Sequence, residues 1–312
     1  MTAGGACAGK KELFGRDLTA KLCLGTVQFG MKYGVKNELG RQPTEVEAFA
    51  VLNAAIEHGI SEYDTASTYG TAEEVLGRYG LAKRLVNGMP IRITSKLRPN
   101  VSDDARSTVQ EVRKSLRRLC ADRIHCYMLH RASDMDQPAI MEGMVRAKAD
   151  GFVEYIGVSI YEPEEALRAA RDSRIDNIQV PYNVLDRRLD AVGFFDVARA
   201  NGKRIYARSA FLQGLLLMDP REAERRVKGS GVYVARFQTE VEKSGFLPNE
   251  AAMLYVLLHP GIDAVVFGVD TMEQLEKDMR IAEKRERFRS CCEKIRGAFM
   301  NVPREVIMPN LW

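Results

Sequence analysis

Ile60-Ser61-Glu62-Tyr63-Asp64-Thr65-Ala66-Ser67-Thr68-Tyr69-Gly70-Thr71-Ala72-Glu73-Glu74 holds a strand, a loop and the start of a helix in one short stretch. The run from Ile60 to Asp64 reads as a strand ending at its aspartate, and Thr71-Ala72-Glu73-Glu74 reads as the capping start of a helix. Asp64 and Tyr69 therefore fall in a strand-to-helix loop, whose ends the scaffold fixes while its side chains stay accessible. The fold depends on whether this unit repeats.

It does, in both directions. Upstream, Lys21 to Gly25 is a strand with a Gly-rich exit reaching Gly30, followed by the capping box Thr44-Glu45-Val46-Glu47. Val46, Phe49, Leu52, Ala55 and Ile56 then give an apolar helical face that stops at Gly59. Downstream, strands are expected at 90–96, 123–130, 153–159, 177–182, 203–209 and 263–268. Helices are expected between them, one near 104–120 with Val109, Val112, Leu116 and Leu119 on one side and another opened by Pro163 in its first turn. Further helical segments fall near 231–244, 249–258, 271–284 and 286–299. Eight strands with helices between them predict a closed (β/α)8 barrel of the TIM type, built by right-handed crossovers. An open doubly wound sheet is the alternative; against it, no GxGxxG follows the first strand, and polar residues close many strands instead of clustering at one switch point. The chain is read as one barrel domain over 1–312, with a weakly patterned segment at 1–20, to which no function is assigned, and a helical tail at 286–312.

Composition fits an enzyme-sized globular chain. Of 312 residues, 46% are hydrophobic and 28% charged, and the net charge of +4 is spread among acids, as in Arg221-Glu222-Ala223-Glu224-Arg225-Arg226. That pattern reads as a solvated helix face and argues against a nucleic-acid partner. The six cysteines show no CxxC pair and no partnering histidine spacing, so reduced thiols are expected, with no disulfide framework and no metal. Cys291-Cys292 reads as helix-packed thiols. No apolar run reaches the roughly 18 residues of a membrane span and no signal core opens the chain, which points to the cytoplasm. The oligomeric state is left open.

In a parallel barrel the C-terminal ends of all strands meet on one face. The residues there are Asp64, Lys96, His130, Ser159, Gln179 and Arg208, with Tyr69 beside Asp64. A phenol titrates near pH 10, so as a general acid it benefits from a cation that stabilises the phenolate left behind. Lys96 supplies that charge, Asp64 holds Lys96 ionised, and His130 donates a hydrogen bond to a substrate oxygen or relays the proton. Such a group suits protonation of the oxyanion formed when hydride adds to a carbonyl.

Taken together, the sequence resembles the aldo-keto reductase superfamily. The matching pieces are Gly25-Thr26 with Phe29-Gly30, Asp64-Thr65-Ala66 with Tyr69-Gly70, Thr94-Ser95-Lys96, Leu129-His130, Gly157-Val158-Ser159, Asn177-Ile178-Gln179 and Ser209 to Leu215. They occur in the family's order over about residues 22 to 283. The resemblance implies Tyr69 as proton donor, Asp64 and Lys96 as its tuning pair, and His130 as the substrate-orienting partner. It also implies a nicotinamide cofactor, NADPH or NADH, contacted by Gly25 and Thr26, with Ser159 and Gln179 near the carboxamide. The loop from Ser209 through Leu212 and Gly214 would lie near the pyrophosphate, and Gly268, Gln274 and Asp278 at the adenosine end, where amides of a helix N-terminus suit anions. The partner implied is a small carbonyl compound, and the stretch from Gly25 to Gly34 looks like the branch associated with sugar or nucleotide-sugar metabolism.

Two positions depart from the family pattern. Arg208 stands where many relatives carry an aromatic ring against the nicotinamide; it is read as binding cofactor phosphate, binding an acidic substrate, or pairing with Asp186. The loop Gly268 to Gln274 lacks the cation that NADPH-selective relatives carry, and Asp270 and Glu273 would repel a 2′-phosphate if they point inward, so NADH is expected to serve at least as well as NADPH. Phe29, Tyr33, Tyr161 and the tail from Met308 to Trp312 are candidate pocket walls, with Trp312 either folded over the mouth or a frayed terminus. Two alternatives are a non-catalytic cofactor-binding regulatory subunit and a barrel lyase or isomerase using Lys96 as a Schiff base.

Overall fold

The computed structural model describes residues 18–312, apart from Lys36, Glu38, Asp103 and Met300. The readings of residues 1–17, Cys7 among them, lie outside the described residues. Eight parallel strands close into a barrel: β1 (Leu22–Gly25), β2 (Glu62–Asp64), β3 (Arg92–Leu97), β4 (Ile124–Leu129), β5 (Val153–Ser159), β6 (Asn177–Pro181), β7 (Arg204–Arg208) and β8 (Ala264–Gly268). Each strand pairs with its neighbours in sequence, and β1 closes the ring, with Gly25 opposite both Asp64 and Gly268. The expected (β/α)8 architecture is the one observed.

Side chains alternate along each strand between the barrel interior and the helical shell. Cys23, Cys126, Met128, Tyr206 and Ala264 pack with Val266 in a small cluster inside the barrel. Leu24, Tyr63, Tyr127, Leu129, Val158, Ile178, Ile205 and Phe267 face the other way and join the main core under the helices. Gly157 is inside too: a Cβ there would lie 2.7 Å from the Met128 side chain and 3.1 Å from Cys126 Sγ. Glu62 plugs the opposite end of the barrel, held by Arg92 at 2.7 Å and Arg204 at 2.6 Å. Two residues beyond this interior set, in the strand direction, come Asp64, His130, Ser159, Gln179, Arg208 and Gly268. The period that fills the barrel thus also sends these residues to its mouth.

The helices lie close to their expected places, including Glu45–Glu57, Ala72–Tyr79, Ala105–Leu119, Pro163–Arg171 and Gly231–Lys243. Thr44 and Glu47 form the capping box, and Val109, Val112, Leu116 and Leu119 are all buried. Val46 differs, being 79% exposed, because the buried stripe of its helix is centred on Val51, Leu52 and Ala55, on the far side. Thr71 occupies the N-cap but makes no capping bond; its hydroxyl accepts from Gln42 instead. Glu73 turns inward and accepts from Ser95 Oγ at 2.5 Å and Arg118 Nε at 2.6 Å, tying its helix to β3 and the next helix. A hairpin, Leu85–Val86 against Met89–Pro90, escaped the sequence reading, being shorter than its periodicities resolve, and the tail holds a helical turn at Arg304–Ile307.

Two glycines set the loop that carries Tyr69. A Cβ on Gly30 would stand 1.7 Å from the Tyr69 carbonyl oxygen, and one on Gly70, at φ +55, would stand 2.2 Å from the Gly30 carbonyl oxygen. Only without side chains can the turn after β1 and the loop after β2 meet this closely. Because the obstacle is backbone, Gly30→Ala is expected to lower stability by about 1–3 kcal/mol. A urea unfolding midpoint equal to that of the parent would show that the contact is not structural.

Candidate active site

A cavity of about 770 Å³ opens at the C-terminal ends of the strands. Tyr69, Asp64, Gln179 and Arg208 line it at the barrel axis, and Asn249, Asp278 and Lys284 line it among the helical segments before and after β8. The fully buried Lys96 donates from Nζ to Asp64 Oδ1 at 2.6 Å, to the Thr65 carbonyl at 3.0 Å and to the Tyr69 hydroxyl at 3.4 Å. Those three acceptors use the whole donor capacity of an ammonium. Asp64 is held twice, since its Oδ2 accepts from Gln179 Nε2 at 2.7 Å. The loop itself is stitched to β3: Thr65 N donates to the Thr94 carbonyl and Ser67 Oγ to that of Lys96.

The electrostatics follow from this burial. Burial by itself would lower the Lys96 ammonium, but Asp64 and Tyr69 outweigh it and hold its pKa above the ordinary lysine value. A Schiff-base lysine needs the opposite shift, so that alternative has no amine to use. Burial raises the Tyr69 phenol, against the pull of Lys96, which keeps its proton on at neutral pH. His130 is pushed down to about 3, first by burial and then by Lys96, Arg208 and Arg131, so its imidazole is neutral. Its Nδ1 lies 3.3 Å from Thr68 Oγ1, and its ring stands edge-on to Tyr69 with centroids 6.1 Å apart.

Seven of the nine remaining candidates line the same cavity. Gly25, Thr26, Ser209, Gly214, Gly268, Gln274 and Asp278 line it. Ser159 is buried at the end of β5, in register with Gln179, and Leu212 is buried beneath the loop. Ser209, Leu212, Gln213 and Gly214 all have positive φ, so the loop after β7 is a turn of unusual backbone. Arg208 does not meet Asp186, which pairs with Arg188 at 2.8 Å instead. Phe29 is 1% exposed within the core, and Val27 and Gln28 line the cavity in its place. Trp312 packs against the core with its indole donating to the Glu305 carbonyl, and is neither frayed nor a lining residue. Glu273 is exposed and off the cavity, whereas Asp270 is buried in its wall.

Sequence reasoning overlooked Gln28 and Asn37. Gln28 is buried with its Oε1 unpartnered, and a Cβ on Gly268 would lie 2.5 Å from its amide nitrogen. Its signal was its place inside the Gly-rich exit of β1. Asn37 donates to Asp270 Oδ1 at 2.9 Å, and Val35 N donates to the Gln213 carbonyl at 3.2 Å, so the segment after β1 joins two other loops of the cavity. Among the described residues the cysteines are free; burial pushes Cys292 up to about 11 and raises Cys291, so neither is a ready thiolate. His58, His125 and His259 lie off the cavity, each beside a carboxylate. No described helix is long and apolar enough to cross a membrane.

The model of the Aldo/keto reductase family matches residues 21–289. The chain belongs to that family. Among curated aldo/keto reductase relatives, it is 27% identical over 256 residues to the uncharacterised oxidoreductase YqkF of Bacillus subtilis, across 77% of this chain and 83% of that one. To the D-threo-aldose 1-dehydrogenase of a Pseudomonas species it is 31% identical over 218 residues, 59% of this chain and 66% of that one. Among solved structures, the putative aldo-keto reductase PA4992 of Pseudomonas aeruginosa superposes with a TM-score of 0.64 at 26% identity, over 85% of this chain and 90% of that one. The holo form of AKR11C1 from Bacillus halodurans shares the fold, with a TM-score of 0.67 at 22% identity over 87% and 91%. This aldo/keto reductase is therefore an oxidoreductase of a family that uses nicotinamide cofactors on carbonyl groups.

Asp278 at the far end of the reductase's cavity is raised to about 7 by burial, with only partial relief from the Asn249 side chain. It is protonated in the fold over a range where the unfolded chain ionises it, so its contribution to stability declines as pH rises from about 4 to 7. Asp278→Asn is accordingly expected to raise the melting temperature more at pH 8 than at pH 5. Equal shifts at the two pH values would contradict a buried neutral acid.

Proposed function

We propose that this reductase converts an aldehyde or ketone to the alcohol at the expense of NADH or NADPH, with Tyr69 as the proton donor. The observation that carries the reading is the Asp64–Lys96–Tyr69 chain. Lys96 donates to the phenol oxygen, so the phenol's own hydrogen is left to point elsewhere, and Tyr69 lines the cavity where a substrate oxygen would sit. The permanent charge on Lys96 offsets the cost of leaving a phenolate, and Asp64, fixed by Gln179, keeps that charge in place. His130, neutral and edge-on to Tyr69, suits a hydrogen bond that orients the carbonyl. It is not a proton source, because its own proton affinity is too low.

The cavity's other walls suit a dinucleotide. Gln28 offers a buried unpartnered oxygen, the positive-φ loop from Ser209 to Gly214 presents backbone at close range, and Lys277 and Arg280 add cations along the helix Met272–Met279 and just beyond it. When bound, the nicotinamide supplies the hydride that adds to the carbonyl carbon. Gly25, Thr26, Ser159 and Gln179 would hold the nicotinamide half, and Gly268, Gln274 and Asp278 the adenosine half. A sugar-type carbonyl is the substrate class favoured, in keeping with the Gly25 to Gly34 stretch and with the name of the relative acting on D-threo-aldoses.

Tyr69→Phe is expected to cut turnover at least 10²-fold while cofactor still quenches or shifts protein fluorescence at its usual concentration. Unchanged turnover followed at 340 nm would exclude Tyr69 as the acid. The buried carboxylate of Asp270, tied to Asn37 in the cavity wall, disfavours a 2′-phosphate. On one carbonyl substrate, kcat/KM with NADH should therefore at least equal that with NADPH, and a hundredfold preference for NADPH would rule this out.

A further inference from the structure

Arg208 closes β7 at the cavity wall and, among the described residues, forms no ion pair. Asp64 and Asp186 are both committed elsewhere: Asp64 to Lys96 and Gln179, and Asp186 to Arg188. The guanidinium contacts only neutral groups. Its Nη2 donates to the Ile160 carbonyl at 3.0 Å, its Nη1 reaches Ser209 Oγ at 3.4 Å, and its Cζ sits 4.3 Å from the centroid of the Tyr161 ring. Two of five N–H donors are thus used, which leaves most of the fork open. The charge is felt at the catalytic end, since Arg208 favours the deprotonated forms of Tyr69, His130 and Tyr33.

At the catalytic end of the cavity the other charges are balanced. Lys96 is matched by Asp64, His130 is neutral, and Tyr33, Tyr69 and Tyr161 bring only hydroxyls and ring faces. A half-buried cation without a counter-charge is an incomplete arrangement, because two neutral hydrogen bonds and one ring face restore only part of its lost hydration. Stacking on Tyr161 and the bond to Ile160 hold the guanidinium in one orientation, so an incoming group meets a preorganised fork.

We propose that Arg208 recognises an anionic group, a carboxylate or a phosphate ester, carried by the carbonyl substrate within a few atoms of the carbonyl. This rests on the carbonyl-reductase reading and names the substrate class for it. A flat guanidinium offers two parallel donors to either anion, and such charge-assisted bonds are worth about tenfold to hundredfold in binding. Anchored at the β5 exit by Ile160 and Tyr161, Arg208 lines the same cavity as Tyr69, at the end where the substrate's reacting group would sit.

The test uses matched pairs with the purified full-length protein and whichever cofactor it accepts: butanal against succinic semialdehyde, and glyceraldehyde against glyceraldehyde 3-phosphate. At low salt, kcat/KM for the anionic member of at least one pair should exceed that of its neutral partner about tenfold or more, chiefly through KM. That ratio should fall to within about threefold in R208Q and shrink as ionic strength rises. A preference in one pair alone assigns the carboxylate or the phosphate ester as the anion. R208K, which keeps the charge but not the fork, should retain part of the ratio, and it serves if R208Q fails to fold. Equal kcat/KM within both pairs, or a preference that survives in R208Q, would overturn the inference while leaving the reductase reading intact. Turnover of none of the four compounds would overturn both.

Discussion

The ion pair between Lys96 and Asp64 is the constraint around which the barrel mouth is arranged. An ammonium that is fully buried has lost its hydration, and that loss is large unless geometry restores it. Here it is restored by three acceptors: a carboxylate at 2.6 Å, a carbonyl, and a phenol. A pair of this kind adds little net stability compared with apolar residues of similar volume. Its value is electrostatic, because a fixed positive charge beside a phenol lowers the cost of removing the phenol's proton.

Everything near the pair serves to keep it from relaxing. Gln179, from the opposite side of the barrel, holds the second oxygen of Asp64, and the β3 carbonyls hold the loop after β2. The close backbone contact of Gly30 and Gly70 presses that loop inward, so Tyr69 reaches Lys96 without a long, flexible path. Beneath, Glu62 with Arg92 and Arg204 closes the other end of the barrel, and small residues such as Gly157 and Cys126 fit the space between. The site stands on strand ends that the core has already fixed, which is the preorganisation a proton donor requires.

Opposite this balanced set stands Arg208, whose charge has no protein partner among the described residues. The contrast between two cations at strand ends of one barrel mouth is chemically informative. The charge of Lys96 is balanced by Asp64, as suits the phenol-tuning role proposed for it. Arg208 keeps its field open to the cavity, which also disfavours protonation of His130, in keeping with the proton-donor role proposed for Tyr69.

The amino-acid sequence by itself determined the barrel and the membership of its mouth. Strand alternation and helix caps are local, so eight repeated units were legible, and the period of two that puts Cys126 and Met128 inside also puts His130 at the top. Lys96, closing an apolar strand, already demanded a partner. Only the tertiary structure decided which partners were chosen: that Gln179 grips Asp64, that Asp186 is taken by Arg188, that Glu73 leaves the helix start to hold Ser95, and that Phe29 and Val46 face other ways than expected. The reason is physical. The grip of Gln179 on Asp64, 115 positions away, depends on angles and distances around a closed ring, and nothing in the local chain encodes it until that ring is closed.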